Sequence, residues 1–314
     1  MFYRLFFKSK QMKYNTHAGF FHCDEIAGFA ICRLAKVATE LERLTDMSNL
    51  PIGEIVADIG RIDDPSQLRF DHHQEFILRE DGFPYASAGL LWKEYGRKAI
   101  TECIGEHKSL DDIWKRVDEK LIKGIDAFDS DSDYTLKGNC VAGEVNIQSL
   151  SNIVSMYNTK DLKDHSEQKK SFLLAADLIS MVLESTIKSA KKQIEDSERF
   201  DSIVEIKEGY AILPEFLSWK EIVHERYPDL RFIILPSAHP TNTLSMIAVP
   251  INPQSRKLKL EIERPPWFKG FIHQGKWICG SDSKEELILL AECNLEVERY
   301  FTSGESGFKS HTGY

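Results

Sequence analysis

Apolar residues at Ile26, Phe29, Ala30, Leu34, Val37, Leu41 and Leu44 recur at helical spacing and predict one helix from Ile26 to Leu44. The polar stretch Thr16 to Glu25 ahead of it reads as a loop opening that helix, entered by a short strand at Lys13 to Asn15. Ile55 to Ile59 is a brief apolar run with Asp58 near its end, the pattern of a buried strand with an acid at its carboxyl end. Asp63-Asp64-Pro65-Ser66 signals a turn. Ser87-Ala88-Gly89 precedes a helix predicted to stop at Gly96. Asp111 to Phe128 predicts another helix, running into an acidic loop of Asp126, Asp129, Asp131 and Asp133. Residues 167–199 place Phe172, Ala175, Ile179, Leu183 and Ala190 on one face of a long connecting helix. Beyond it the period shortens: Ile203 to Leu213, Arg231 to Leu235 and Leu244 to Val249 read as strands bounded by Gly209, Pro214, Pro236 and Pro250. Leu287 to Leu295 reads as a last helix, and the Ser303 to Gly313 tail as frayed.

Alternating strand and helix signals with polar residues at strand ends predict an α/β protein. Residues 12–166 are expected to form an open, mostly parallel α/β domain, 167–199 a connecting helix, and 200–314 a smaller α+β domain. In an open parallel sheet, ligands gather at the carboxyl ends of the strands.

The 314 residues suffice for two cores. A formal charge of −9 argues against a surface coated in basic residues for duplex DNA, though not against a local basic groove. No apolar run is long enough to cross a bilayer, so no membrane partner is expected. The six cysteines are scattered without a CxxC pair, the pattern of free thiols in a reducing compartment, and a cytoplasmic location is expected. The basic stretch Met1 to Lys13 has two readings, a targeting peptide or an extension ahead of a natural start at Met12, and the second is preferred.

Candidate chemistry concentrates in the first half. His17, His22 and Asp24 lie within eight residues at a helix start, Asp58 ends a strand, His72 follows another, and Asp126 ends a helix. Three imidazoles and three carboxylates suit manganese, zinc or iron better than magnesium. Bridged by Asp58 or Asp126, the set can hold two divalent cations about 3.5–4 Å apart, the arrangement that cleaves phosphate esters. Any one of these residues alone is more often a cap or a surface group; four such clusters at element ends are not. His73 points away from its neighbour and is assigned to the substrate phosphate as donor or general acid, with Asp58 and Asp126 as the other catalytic groups. Asp71, Asp129 and Glu25 are expected to support the ligands. Ser87, Ala88 and Gly89 offer backbone N–H groups at a helix start for a phosphate, although Ser is also simply a good cap.

These motifs resemble the melanocyte-proliferating-gene (Myg-one) exonuclease family of the DHH phosphoesterase superfamily. The resemblance is carried by Thr16-His17-x-Gly19-x-Phe21-His22-Cys23-Asp24-Glu25, Asp64-Pro65, Arg69-Phe70-Asp71-His72-His73-Gln74, Ser87-Ala88-Gly89-Leu90 and Ile125-Asp126-Ala127-x-Asp129. Trp219-Lys220 and Pro266 to His273 echo it later in the chain. It implies a 3′–5′ exonuclease acting mainly on RNA with manganese, and His17, His22, Asp24, Asp58, His72 and Asp126 as metal positions. Two departures stand out: His22 where the superfamily commonly has Asp, and a shortened stretch from Gly270 to His273.

Between Arg256 and Lys276 six cations stand among Trp267, Phe268 and Trp277, a mixture suited to a single strand: cations follow phosphates and rings stack on bases. Its plainer reading is a strand pair with a solvated charged face. If this domain closes over the metals, Lys269 and His273 hold a flanking phosphate. The leading expectation is thus a two-metal exonuclease on single-stranded RNA or short oligonucleotides. The alternatives are a hydrolase of pyrophosphate, polyphosphate or a dinucleotide, and a non-catalytic module that binds RNA or nucleotide.

Overall fold

The computed structural model describes residues 12–74, 77–130 and 148–302. Asp131, Asp133, Cys140, most of the basic N-terminal stretch and the Ser303 to Gly313 tail lie outside them. The chain divides into two compact units, Met1–Lys191 and Lys192–Tyr314. It is a mixed α/β protein with one sheet in each unit.

In the first unit the sheet order is β2 (Ala38–Leu44), β1 (Met12–His17), β3 (Ile55–Ala57), β5 (Arg69–Phe70) and β4 (Asp63–Asp64), with β3 central. Pairings β1–β2, β1–β3 and β3–β5 are parallel, and only the edge pair β4–β5 is antiparallel. Three parallel strands therefore end together. His17 is the last residue of β1, Asp58 follows β3, and Asp71-His72-His73 follows β5.

Helix α1 spans Cys23–Leu34, shorter than its periodicity suggests. Lys36 adopts a left-handed φ of 55° and its N–H returns to the Arg33 carbonyl, which ends the helix. Ala38 to Leu44 then pairs with the whole of β1. Ala38 and Leu41, three apart, are buried from a strand with a register shift, so helical spacing there misleads.

Helix α2 runs Ser87–Ile104, through Gly96 rather than stopping at it. A Cβ at Gly96 would lie 2.7 Å from both Trp114 Nε1 and Trp92 Cδ2, so this glycine admits a neighbouring helix rather than a turn. The two indoles stack with each Nε1 donating to the other's backbone carbonyl. Trp114 belongs to α3 (Leu110–Val117), which passes through a π turn (Asp118–Ile122) into α4 (Lys123–Asp129). A short α5 (Leu150–Ser155) follows. The next helix, α6 (His165–Ile203), buries Phe172, Ala175, Ile179, Leu183 and Ala190, the face anticipated from its spacing.

The second unit holds a six-stranded sheet in the order β10-β11-β9-β8-β7-β6: Phe271–Ile272, Ile278–Ser281, Leu244–Ala248, Phe232–Pro236, Tyr210–Ile212 and Glu205–Ile206. Only β7–β8 is parallel. One sheet face packs Phe232, Ile234 and Met246 on Leu287, Leu290 and Leu295 of α8 (Lys284–Thr302). The other packs Ile233 and Leu235 on Phe200 and on α7 (Lys220–Arg226). Phe268, anticipated as a stacking ring, is 1 % exposed and belongs to this core. Burying such a ring contributes about 1.5–3 kcal/mol, more than an exposed stacking site would offer the fold.

Candidate metal centre

The loop Ala18 to His22 leaves β1 and opens α1, and three side chains from elsewhere shape it. Arg43 of β2 donates from Nε to the His17 carbonyl (3.2 Å) and from Nη2 to the Gly19 carbonyl (2.9 Å), while Nη1 donates to Gln168 (2.7 Å). Asn158 pairs with Phe21 through both ends of its amide, at 2.9 and 2.8 Å. Glu25 accepts the His22 N–H at 2.9 Å, the back half of a capping box. Arg43 and Asn158 were not anticipated, because they act on this loop only through tertiary contacts.

Past β3, Asp58 takes a left-handed φ of 62° and is followed by Gly60 at 100° and Arg61 at 56°. A strained turn at the end of a central strand is a common way to aim a functional side chain. Asp71 fixes the third segment: Oδ2 accepts the Arg61 N–H at 2.6 Å, and Oδ1 accepts the His73 N–H at 3.1 Å and contacts His73 Nδ1 at 2.7 Å.

Eight side chains converge in overlapping triads, each with its donor atoms within 4.8 Å of one another. These are His17–His22–Glu25, His22–Asp24–Asp129, Asp24–Glu25–Asp58 and Asp58–His72–His73. His17 Nε2 lies 3.3 Å from both Glu25 Oε1 and Asp58 Oδ2. His72 Nε2 lies 3.0 Å from Asp129 Oδ2 and 3.4 Å from Asp58 Oδ1.

Electrostatically the cluster sets burial and like-charge repulsion among its acids against the imidazoles between them. Burial, then the charges of Asp58, Asp129 and Glu25, push the Asp24 carboxyl well above the usual range. Burial and Asp58 raise Glu25 to about 8. Burial would lower His17, but the nearby Asp58 and Glu25 carboxylates overcome it and raise the imidazole to about 9. Likewise Asp129 and Asp58 outweigh burial at His72 and raise it to about 10. Burial alone would raise Asp58; the two imidazoles beside it instead hold it well below its ordinary value.

Among the described residues, both Asp24 oxygens are buried without a hydrogen-bond partner. An unpaired buried carboxylate costs several kcal/mol, so such a group takes a proton or meets a cation. The donor set, imidazole nitrogens with carboxylate oxygens and no thiolate among the triads, fits a borderline divalent metal.

Asp126, anticipated as a ligand, is carried elsewhere. It is fully buried, accepts from Arg79 Nη2 at 2.6 Å and from the Gly89 N–H at 3.0 Å, and among the described residues joins none of these candidate triads; Asp129, one helical turn on, does. Burial raises Asp126 to about 7, and Arg79 with the Gly89 amide keeps it from rising further. Arg79 also donates to both oxygens of Asp118, at 3.0 and 2.9 Å. The start of α2 consequently offers little to a phosphate: Gly89's amide is spent on Asp126, Ser87 and Ala88 are buried, and Ser87 Oγ donates to Asp58 at 3.3 Å. Lys269 and His273 sit in the second unit, where Lys269 Nζ donates to the Pro266 carbonyl and His273 Nδ1 accepts the Gly275 N–H, each at 3.0 Å.

Two further expectations concern thiols and membranes. The described cysteines, Cys23, Cys32, Cys103, Cys279 and Cys293, are free. No helix of the described residues is long and apolar enough to cross a membrane.

Known proteins share parts of this chain. It is 33% identical over 129 residues to the MYG1 exonuclease of Mus musculus, covering 37% of this chain and 34% of that protein. The match thus spans about a third of the mouse relative's length. The MYG1 protein of Saccharomyces cerevisiae is 26% identical over 327 aligned positions, covering 89% of this chain and 94% of the yeast one. Among solved structures, a pGpG-specific phosphodiesterase, PggH, from Vibrio cholerae aligns with 91% of this chain and 99% of its own. Its TM-score of 0.29 and identity of 14% are too low for structural inference. The MYG1 exonuclease family model, described as an uncharacterised protein family (UPF0160), matches residues 13–295, and the chain belongs to this family.

Proposed function

We propose that this chain is a DHH-type, metal-dependent phosphodiesterase that trims short single-stranded oligonucleotides, RNA above all, from the 3′ end. The observation that supports it most is Asp24: a fully buried carboxylate with neither oxygen hydrogen-bonded, in a cluster with four imidazoles and three further acids. Membership in a family whose relatives are named exonucleases supplies the reaction class.

His17, His22, Asp24, Glu25, Asp58, His72 and Asp129 would hold two divalent cations, manganese by the nitrogen–oxygen donor set. Such cations supply Lewis acidity and an activated water for in-line displacement at phosphorus. The chain's own residues do the rest. Asp71, held ionised by His73 and by the Arg61 and His73 amides, keeps the proton of His73 on Nδ1 when the ring is neutral. The His73 side chain is 51% exposed, and its pKa is raised, chiefly by the Asp71 contact, so it carries a second proton on Nε2 over a wider pH range. That nitrogen is placed to hold a phosphate oxygen or protonate the departing ester oxygen. Asp58, shared by both imidazole pairs, orients His17 and His72.

Short substrates are favoured by the second unit's cations. Arg264 donates to the Phe268 and Gly270 carbonyls, Lys259 to those of Pro228 and Leu230, and Lys276 pairs with Glu263 and Glu261. Cations tied to their own fold make a poor track for a long phosphate backbone.

The test is to incubate the protein with Mn²⁺ and end-labelled single-stranded RNA, single-stranded DNA, di-adenylate or pyrophosphate, alongside His72→Ala and Asp58→Ala. Stepwise 3′ shortening of RNA, lost in both variants, is expected. Activity surviving both substitutions overturns the metal assignment, and cleavage of pyrophosphate alone overturns the nuclease reading.

A further inference from the structure

The second unit contains a cavity of about 320 Å³ to which the hydrolytic centre assigns no role. That volume is at the small end of the range of about 300–1,000 Å³ for small-molecule sites. Ser237, His239, Thr241 and Asn242 of the β8–β9 loop border it on one side, and Phe271, His273 and Trp277 of the β10–β11 hairpin on the other.

Three features define what fits. First, the rings are available: Phe271 is 53% and Trp277 43% exposed, with His273 between them at centroid distances of 6.5 and 5.3 Å. Second, no Lys, Arg, Asp or Glu lines the cavity, so it suits a flat, neutral group rather than a phosphate or a cation. Third, its polar rim is preformed. Ser237 N–H donates to the Thr243 carbonyl (2.9 Å), Thr243 N–H to Asp282 (2.8 Å) and His239 N–H to Ser237 Oγ (3.0 Å). At this rim Asn242 lies against Gly280 of β11, where a Cβ would come within 2.3 Å of Asn242 Nδ2. An amide there offers a donor and an acceptor side by side, the pattern that matches the N6/N7 edge of adenine. His273 Nδ1 accepts the Gly275 N–H, which leaves the proton of the neutral ring on Nε2 as a further donor.

We infer that this cavity binds one unpaired nucleobase, preferentially adenine, its face on Phe271 and Trp277 and its edge on Asn242. The choice of a nucleobase rests on the nuclease reading; the cavity's neutral, aromatic chemistry does not.

Calorimetric titration of the full chain in EDTA with AMP, CMP and ribose 5-phosphate tests this. AMP is expected to bind saturably, CMP more weakly, and ribose 5-phosphate not at all. Phe271→Leu and Asn242→Ala should each weaken AMP about tenfold. Circular dichroism checks that both variants are folded. Absent AMP binding, equal binding of ribose 5-phosphate, or unchanged affinity in both folded variants overturns the inference. So does an apolar dye that binds there and is not displaced by AMP. AMP binding by a chain that hydrolyses nothing would remove the hydrolase reading and leave the pocket; hydrolysis without AMP binding would do the reverse.

Discussion

Two groups of acids in the first unit, all but Asp129 buried, meet the same problem in opposite ways. Asp126 and Asp118 share Arg79, and the Gly89 amide completes Asp126, so that network closes within the chain. In the other group Glu25 accepts the His22 N–H, Asp58 accepts the Ser87 hydroxyl, imidazoles stand beside Asp58 and Asp129, and both oxygens of Asp24 remain unpartnered. The first group is architecture: it joins α2, α4 and the π turn. The second could hold metal ions, and the contrast is between acids neutralised within the fold and acids left to a proton or a cation.

Removing a partner from the closed network should have the largest effect. Arg79→Met leaves two buried acids facing each other and is expected to cost about 3–5 kcal/mol in urea unfolding, less at pH 5 than at pH 8 because Asp126 can take a proton. A loss below about 1 kcal/mol would mean the network is not closed as described. In the open cluster the signs should reverse. Asp24→Asn relieves repulsion, so the metal-free chain should keep or gain thermal stability while Mn²⁺-dependent hydrolysis falls roughly a hundredfold or more. If metal-free stability drops as it does for Arg79→Met, Asp24 is architecture after all. Gly89→Ala comes next: its Cβ would meet Asp126 Oδ2 at 2.0 Å and Tyr85 at 2.6 Å, and overpacking should cost about 1–3 kcal/mol. Differential scanning calorimetry reads it directly.

The smallest effect separates the two groups by pH. His17 and His72 rise from 6.5 to about 9 and about 10 in the folded, metal-free chain. Their contribution to stability is therefore complete below 6.5 and lost as pH climbs through 9 to 10. Asp126 rises from 3.8 to about 7, so the folded chain keeps that proton longer than the unfolded one. Its contribution is complete below 3.8 and lost as pH rises through about 7. Melting temperatures measured in EDTA from pH 4 to 10 should show both declines. Glu25, raised to about 8, adds to the acid-side decline, so Asp126→Asn should shrink that decline while saturating Mn²⁺ removes its remainder and the alkaline one; declines unaffected by either change would contradict the separation.

Much of the candidate site was legible because its residues sit at element ends. His17, Asp58 and Asp71-His72-His73 each close a parallel strand, and an apolar run followed by a polar residue is visible in one dimension. The resemblance to the Myg-one family carried by those motifs is borne out by the match over residues 13–295. Asp126 and Asp129 were harder to tell apart. Three residues apart on one helix, they differ in sequence only by position, yet one reaches Arg79 and the other His72. The Ile26 to Leu44 periodicity failed for a related reason: a buried position every third residue satisfies a helix face, and an irregular strand meets it as well.

By itself the sequence determined the family, the alternating α/β pattern of the first half, and the donor-rich segments around His17, Asp58 and His72. Tertiary structure alone decided which acids were neutralised from within. That depends on where Arg79 and Arg43 arrive, the first beside Asp126 and the second on the His17 loop. Both arginines meet partners far along the chain, and local spacing carries no information about which buried charge such a side chain will find.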